Sequence, residues 1–80
     1  MGNPAHILVV DDEGAARMAL AELLREAGYV VDTASDGFKA LSRAEESRPD
    51  LILTDLCMPS MDGVELIRRL RRSDLGAPVV

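Results

Sequence analysis

The sequence lacks the cysteines that cross-link small extracellular folds. Its 80 residues include one cysteine, one tyrosine, one phenylalanine and no tryptophan. A single thiol cannot build a disulfide framework or a thiolate metal site, so we expect a reducing, cytoplasmic location. No apolar run approaches the ~20 residues that a membrane helix needs, and residues 1–5 do not have the pattern of a signal peptide. We therefore expect no membrane partner.

Positive charge is also scarce. Nine Lys and Arg residues against fourteen Asp and Glu give a formal net charge of −5 at pH 7. An acidic domain is not attracted as a whole to nucleic acid. The arginines at 68, 69, 71 and 72 form a basic run, but such a run on one helix of an acidic domain is typical of a solvated face. We expect no direct contact with nucleic acid.

Three segments have the composition of β-strands. Residues 7–10 and 51–54 are largely apolar runs rich in branched side chains, which predicts strands buried on both faces, as in a parallel sheet. The segment 29–34 is similar but carries Asp32 in its middle, which predicts a strand at the sheet edge. His6 precedes the first strand and is expected to be a surface residue without a ligand.

In the segments between the predicted strands, apolar residues recur at the spacing of amphipathic helices. A first helix is predicted over about 15–27, with Gly28 as its C-terminal cap. A second helix is predicted to end near Ser47, because Pro49 disfavours helix at the residue before it. A third is predicted to begin at Asp62. The apolar face of the first helix is expected to be formed by Leu20, Leu23, Leu24 and Ala27.

Alternating strands and helices predict a parallel sheet with right-handed crossovers. The charged second strand belongs outside and the two uncharged strands inside, which gives the strand order 2-1-3. In such sheets ligands bind beyond the carboxyl ends of the strands, where the strand order reverses. Here that position lies between strands one and three.

Acidic residues stand at that position. Asp11 and Asp12 follow the first strand and Asp55 follows the third. Because neighbouring parallel strands lie ~4.8 Å apart, these three carboxylates are expected to share one pocket. Like charges so close need a cation, and carboxylates with retained waters suit Mg²⁺ better than Zn²⁺. The alternative is that Asp11 and Asp12 only begin the first helix and that Asp55 only ends a strand.

Asp55 is the candidate nucleophile of this pocket. A carboxylate beside Mg²⁺ can attack phosphorus and form an acyl phosphate while the metal neutralises charge. Asp55 leads directly from a buried strand into a loop that contains proline, so its carboxylate can project into the pocket. Glu13 either contacts the waters of the metal or only favours the helix dipole.

Two segments carry a resemblance to a known family. Residues 7–13, ILVVDDE, and residues 50–63, DLILTDLCMPSMDG, resemble the receiver domain of two-component response regulators. The resemblance implies an α/β, flavodoxin-like doubly wound parallel sheet of strand order 2-1-3-4-5. The sequence then comprises an N-terminal leader, residues 1–5, and a partial receiver domain, residues 6–80. That part holds three βα units and the start of strand four.

The resemblance also implies the roles of site residues and the partners. In the family the position of Asp55 accepts a phosphoryl group from a sensor histidine kinase, and the positions of Asp11 and Asp12 hold Mg²⁺ directly or through water. The backbone carbonyl of Cys57 is implied as a metal ligand. Its side chain either tunes the lifetime of the acyl phosphate or is a small apolar residue, and Met58 frames the pocket. The implied signal passes to an output domain or partner protein, with at most self-phosphorylation and self-dephosphorylation as activity.

Receivers continue through a fourth strand that ends in Ser or Thr and a fifth that ends in Lys, both beyond the last residue of this sequence. One alternative is therefore a receiver-like interaction module that does not cycle phosphate. Another is an aspartate-nucleophile phosphatase, although residues 11–15, DDEGA, lack the D-x-D-x-T pattern of those enzymes. An unpaired strand at residues 79–80 would also favour self-association.

Overall fold

The order of elements follows the alternation of apolar strands and amphipathic helices. A computed structural model describes residues 4–54 and residue 68. Its elements are β1 (His6–Val10), α1 (Gly14–Glu26), β2 (Val30–Ala34), α2 (Gly37–Ser47) and β3 (Leu51–Thr54). The predicted strands are confirmed to within one residue at each end. The third helix predicted from Asp62 and the start of strand four lie outside the described residues, except that Arg68 is helical and exposed.

The three strands form one parallel sheet in the order β2-β1-β3, as predicted. His6 to Val10 of β1 pair with Val30 to Ala34 of β2, and Ile7 to Val10 pair with Leu51 to Thr54 of β3. Asp32 therefore lies on an edge strand of the described sheet, and β1 is the central strand. A strand paired on both sides has its backbone groups satisfied within the sheet, which explains why β1 tolerates full burial.

Alternate side chains of β1 point to two helices on opposite faces. Leu8 and Val10 pack in one core cluster with Ala40 and Ala44 of α2. Ile7 and Val9 pack in a second cluster with Ala21 of α1. Because successive strand residues point to opposite faces, a strand covered on both sides must be apolar throughout. The result is the doubly wound arrangement of helix, sheet and helix that the sequence predicted.

Small residues line the inner face of α2. Gly37, Ala40 and Ala44 are its buried residues, and Ala44 has no exposed surface. Leu41 is half-buried and packs against the same cluster. Because these side chains are short, the backbone of α2 can pack close to the sheet.

The predicted apolar face of α1 is confirmed for Leu24 but wrong for Leu20, Leu23 and Ala27. Leu23 is 63% exposed and Leu20 is 37% exposed, whereas Ala21 is buried and Leu24 packs against the sheet. Residues 21 and 24 are three apart and share one helix face, whereas residues 20 and 23 share the neighbouring face. The prediction followed the large leucines, but the helix approaches the sheet through its alanine.

Both helices end in a left-handed residue. After α1, Gly28 has φ +100°, its N–H donates to the carbonyl of Arg25, and the N–H of Tyr29 donates to that of Leu24. These two hydrogen bonds form a Schellman motif, which confirms Gly28 as the terminator. After α2, Arg48 has φ 49° and its N–H donates to the carbonyl of Ala44, so the helix ends at the residue before Pro49, where proline disfavours the right-handed helical conformation.

No helix within residues 4–54 is both long and apolar enough to cross a bilayer.

His6, predicted as a surface residue that binds no metal, is half-buried in β1 and makes several hydrogen bonds. Its ring Nε2 donates to Asp32 Oδ2 on β2 at 2.8 Å. Its backbone N–H donates to Asp50 Oδ2 at 2.7 Å, and its carbonyl accepts from the Asp50 N–H at 2.7 Å. His6 thus ties β2 and the start of β3 to β1 at the amino edge of the sheet.

The central position of Leu8 predicts a large stability loss on truncation. We expect Leu8→Ala to lower the free energy of unfolding by about 2–5 kcal/mol, because Leu8 has no exposed surface and its removal leaves a cavity. Leu23→Ala makes the same chemical change at an exposed position and should lower it by less than about 1 kcal/mol. Urea denaturation of both variants measures the difference, and equal losses would contradict the proposed core.

Candidate functional site

The loop between β1 and α1 begins with Asp11, which both its backbone and its side chain hold in place. The N–H of Asp11 donates to the carbonyl of Ala34 at 3.1 Å, so hydrogen bonding with β2 extends one residue past the end of β1. Oδ1 of Asp11 accepts from the N–H of Glu13 at 2.9 Å. This contact from a side chain to the amide two residues later is an Asx turn. Asp11 is therefore half-buried and fixed at the carboxyl edge of the sheet.

Glu13 is the N-cap of α1. Its Oε1 accepts from the N–H of Ala15 at 3.2 Å and its Oε2 accepts from the N–H of Ala16 at 2.8 Å. Negative charge at this end of a helix is favoured by the helix dipole and satisfies amides that have no partner inside the helix. The geometry agrees with the helix-dipole alternative for Glu13. A contact with metal-bound water stays a prediction.

Asp12 stands between these two anchored residues and is exposed. Its carboxylate makes no hydrogen bond or ion pair with another residue in the part of the chain that the structure describes. The loop therefore holds one acidic side chain against the backbone and presents the next to solvent. An exposed carboxylate on a fixed loop is suited to bind a cation, because no other residue that the structure describes already occupies its oxygens.

The third predicted carboxylate, Asp55, lies outside the described residues, as do Cys57 and Met58. The register between β1 and β3 shows which residues are paired immediately before Asp11 and Asp55. Val10 pairs with Thr54 across β1 and β3, and these are the residues immediately before Asp11 and Asp55. Within residues 4–54 and residue 68, no set of three or more His, Cys, Asp or Glu side chains is arranged to hold a metal.

The available donors are of the kind that a hard cation prefers. Asp11 and Asp12 offer carboxylate oxygens, which suit Mg²⁺, whereas zinc sites favour imidazole or thiolate. His6 lies at the other end of β1, roughly 16 Å from Asp11 at ~3.3 Å per residue. It also bonds to Asp32 there. The donor chemistry at the carboxyl edge thus fits magnesium.

Arg17 of α1 also contacts this loop, and the sequence did not predict that contact. Its Nη1 donates to the backbone carbonyl of Asp11 at 2.8 Å, and its side chain is half-buried. The signal that could have found it is an arginine one turn into a helix that follows two acids. Hydrogen bonds from a side chain to a backbone carbonyl leave no periodic pattern in a sequence, so spacing alone does not reveal this one.

Comparison with known proteins gives a consistent result. The sequence model of one protein family, the response regulator receiver domain, matches residues 7–80 of this chain. The Bacillus subtilis alkaline phosphatase synthesis transcriptional regulatory protein PhoP is 46% identical over 74 residues, which cover 92% of this chain and 31% of PhoP. This chain thus spans about a third of the length of such curated relatives.

Solved structures agree with the fold. The Vibrio cholerae chemotaxis protein CheY4 is 37% identical with a TM-score of 0.91, over 95% of this chain and 65% of CheY4. The response regulator TrrA of Thermotoga maritima, in complex with Mg²⁺-BeF, is 39% identical with a TM-score of 0.86, over 94% of this chain and 65% of TrrA.

The Asx turn predicts that two neighbouring aspartates differ in their effect on stability. Asp11→Ala removes the acceptor of the Glu13 amide and should lower the free energy of unfolding by about 1 kcal/mol. Asp11→Asn keeps an oxygen in the same place and should lower it less. Asp12→Ala should change it by less than about 0.5 kcal/mol, because Asp12 is exposed. Urea denaturation without divalent cations measures all three, and an equal loss for both alanine variants would refute the turn.

Proposed function

Because the chain belongs to the response regulator receiver domain family, we propose that it is the phosphoacceptor module of a two-component system, with Asp55 as acceptor and Mg²⁺ as cofactor. Receiver domains are signalling modules and not classical enzymes. The parallel β2-β1-β3 sheet has the strand order of the flavodoxin-like fold. The proposed chemistry is a transfer onto the protein itself.

The observation that carries this proposal is the register of β1 and β3. Val10 and Thr54 are paired neighbours, and each is followed in the sequence by an aspartate. Parallel strands that end in register direct the residues that follow them toward the same edge of the sheet. This supports a pocket formed by Asp11, Asp12 and Asp55 at the point where the strand order reverses.

The residues of the proposed pocket would hold the metal, and one of them would also accept the phosphoryl group. Asp12 and Asp55 would hold Mg²⁺ directly, Asp11 would lie close by, and the Cys57 carbonyl would complete the protein ligands. The ion would neutralise charge on the transferred phosphoryl group. A carboxylate oxygen of Asp55 forms the new O–P bond as the P–N bond of a kinase phosphohistidine breaks, and the electron pair of that bond stays on the imidazole nitrogen. Positioning supplies most of the rate in such transfers.

The partners follow from the same proposal. A sensor histidine kinase supplies the phosphoryl group, and an output domain or partner protein receives the signal. Regulation of transcription is the output that the name of PhoP suggests, and TrrA in complex with Mg²⁺-BeF supports the choice of metal. Met58 and the Cys57 side chain would border the phosphoryl group, where they would affect how fast water removes it.

The affinity for magnesium should depend on the carboxylates of the proposed site and not on acidic residues elsewhere. In the full protein that carries this sequence, Asp12→Asn and Asp55→Asn should each weaken Mg²⁺ binding by at least about tenfold, because each removes a charged ligand. Asp50→Asn makes the same change beside His6 at the opposite edge of the sheet and should leave the affinity unchanged. Calorimetric titration measures the three variants. Wild-type affinity in Asp55→Asn would remove Asp55 from the metal site.

Phosphorylation tests the acceptor directly. Incubation with a small acyl phosphate donor and Mg²⁺ should add one phosphoryl group to Asp55, labile to hydroxylamine as acyl phosphates are. Asp55→Glu should abolish labelling, since one added methylene moves the nucleophile by more than about 1 Å. Mass spectrometry locates the group, and a group on Thr54 or Ser60 would refute the assignment. A protein that binds Mg²⁺ without being labelled would favour the interaction module that does not cycle phosphate.

A further inference from the structure

Two arginines of α1 reach backward or forward along the chain to a backbone carbonyl six residues away. Arg17 Nη1 donates to the carbonyl of Asp11 at 2.8 Å, at the start of the helix. Arg25 Nη2 donates to the carbonyl of Val31 at 3.0 Å, near its end. The two side chains make the same kind of contact, but only that of Arg17 involves the acidic loop.

The carbonyl that Arg17 contacts belongs to the peptide group that joins Asp11 to Asp12. The N–H of Asp11 still pairs with β2 through Ala34, but β1 has ended and α1 has not yet begun. The guanidinium lies over the first turn of the helix, since a Cβ added to Gly14 would be 3.6 Å from Arg17 Nη2. A half-buried carbonyl that leaves the sheet is thereby satisfied by a charged donor.

We propose that Arg17 is a positioning residue for the acid pair, which fixes the direction of the Asp12 carboxylate by holding the Asp11–Asp12 peptide. This inference rests on the proposed function, in which Asp12 is a magnesium ligand. Asp11 is held by its N–H, its Oδ1 and its carbonyl, and the third of these contacts comes from Arg17. Rotation of the Asp11–Asp12 peptide would move Asp12, which has no anchor of its own among the described residues.

The positive charge of Arg17 and its hydrogen bond should have opposite effects on the affinity for magnesium. A guanidinium near two carboxylates repels an incoming cation, so its removal would tighten magnesium binding if charge dominated. The repulsion is screened, because Asp12 is exposed to solvent. The hydrogen bond to a half-buried carbonyl is screened less and orients the ligand. Removal of Arg17 should therefore weaken binding, and the sign of the change separates the two effects.

The test uses three variants of the full protein, at a temperature well below the unfolding of each. Arg17→Met should raise the Kd for Mg²⁺ by about three- to tenfold, the factor that one hydrogen bond commonly contributes. Arg17→Lys keeps the charge and one donor group and should recover part of that loss. Arg25→Met removes the same charge and the same kind of hydrogen bond from the other end of α1, and should leave the Kd within about twofold of wild type. Calorimetry measures the affinities.

Amide hydrogen exchange without magnesium gives a second readout. Exchange at the Glu13 N–H, which donates to Asp11 Oδ1, should accelerate in Arg17→Met and not in Arg25→Met. An unchanged or tighter Kd in Arg17→Met overturns the inference, and so does an equal weakening in Arg25→Met. If the wild type binds no Mg²⁺, the proposed metal site fails, and unaltered Glu13 exchange in Arg17→Met would then overturn the loop assignment as well. If Arg17→Met does not fold, Arg17→Ala takes its place, because alanine favours helix and also removes the donor, and an unchanged or tighter Kd in that variant overturns the inference.

Discussion

The pairing of β1 with a strand on each side determines the position of every other described element. With both edges hydrogen-bonded and both faces covered by helices, residues 7–10 of β1 are all buried. Such a strand cannot shift by one residue, because the shift would exchange the side chains of its two faces between two differently shaped clusters. The positions of Asp11 and of Thr54 therefore follow from the register of a single strand.

The elements that the sequence predicted well are those whose physical cause is local or compositional. Runs without charge predicted strands buried on both faces, and Asp32 predicted the edge strand. Gly28 and Pro49 marked helix ends for opposite local reasons, because glycine adopts a positive φ without steric cost and proline disfavours the helical conformation at the residue before it. The strand order followed from these observations, since the uncharged strands need cover on both faces.

The features that were missed depend on side chains far apart in the sequence. His6 bonds across 26 residues to Asp32, and neither residue shows in its own segment that the other is near. The face of α1 was only partly predicted, because the buried Ala21 contributes less to an apolar pattern than the exposed Leu23 does. At the site, the paired acids after β1 were evident from the sequence, whereas the contact of Arg17 with the loop depends on how the helix turns. Asp55 remains a prediction from the motif and the register.

The small residues on the inner face of α2 also affect which substitutions the helix accepts. Gly37, Ala40 and Ala44 are the buried residues of this helix, and overfilling a packed core commonly costs about 1–3 kcal/mol. The outward residues Phe38, Lys39, Ser42 and Arg43 are exposed and under no such limit of volume. Divergence in this helix is therefore restricted to one side: related proteins can acquire new surface chemistry on its outer face while the inner face keeps the same narrow range of side-chain size.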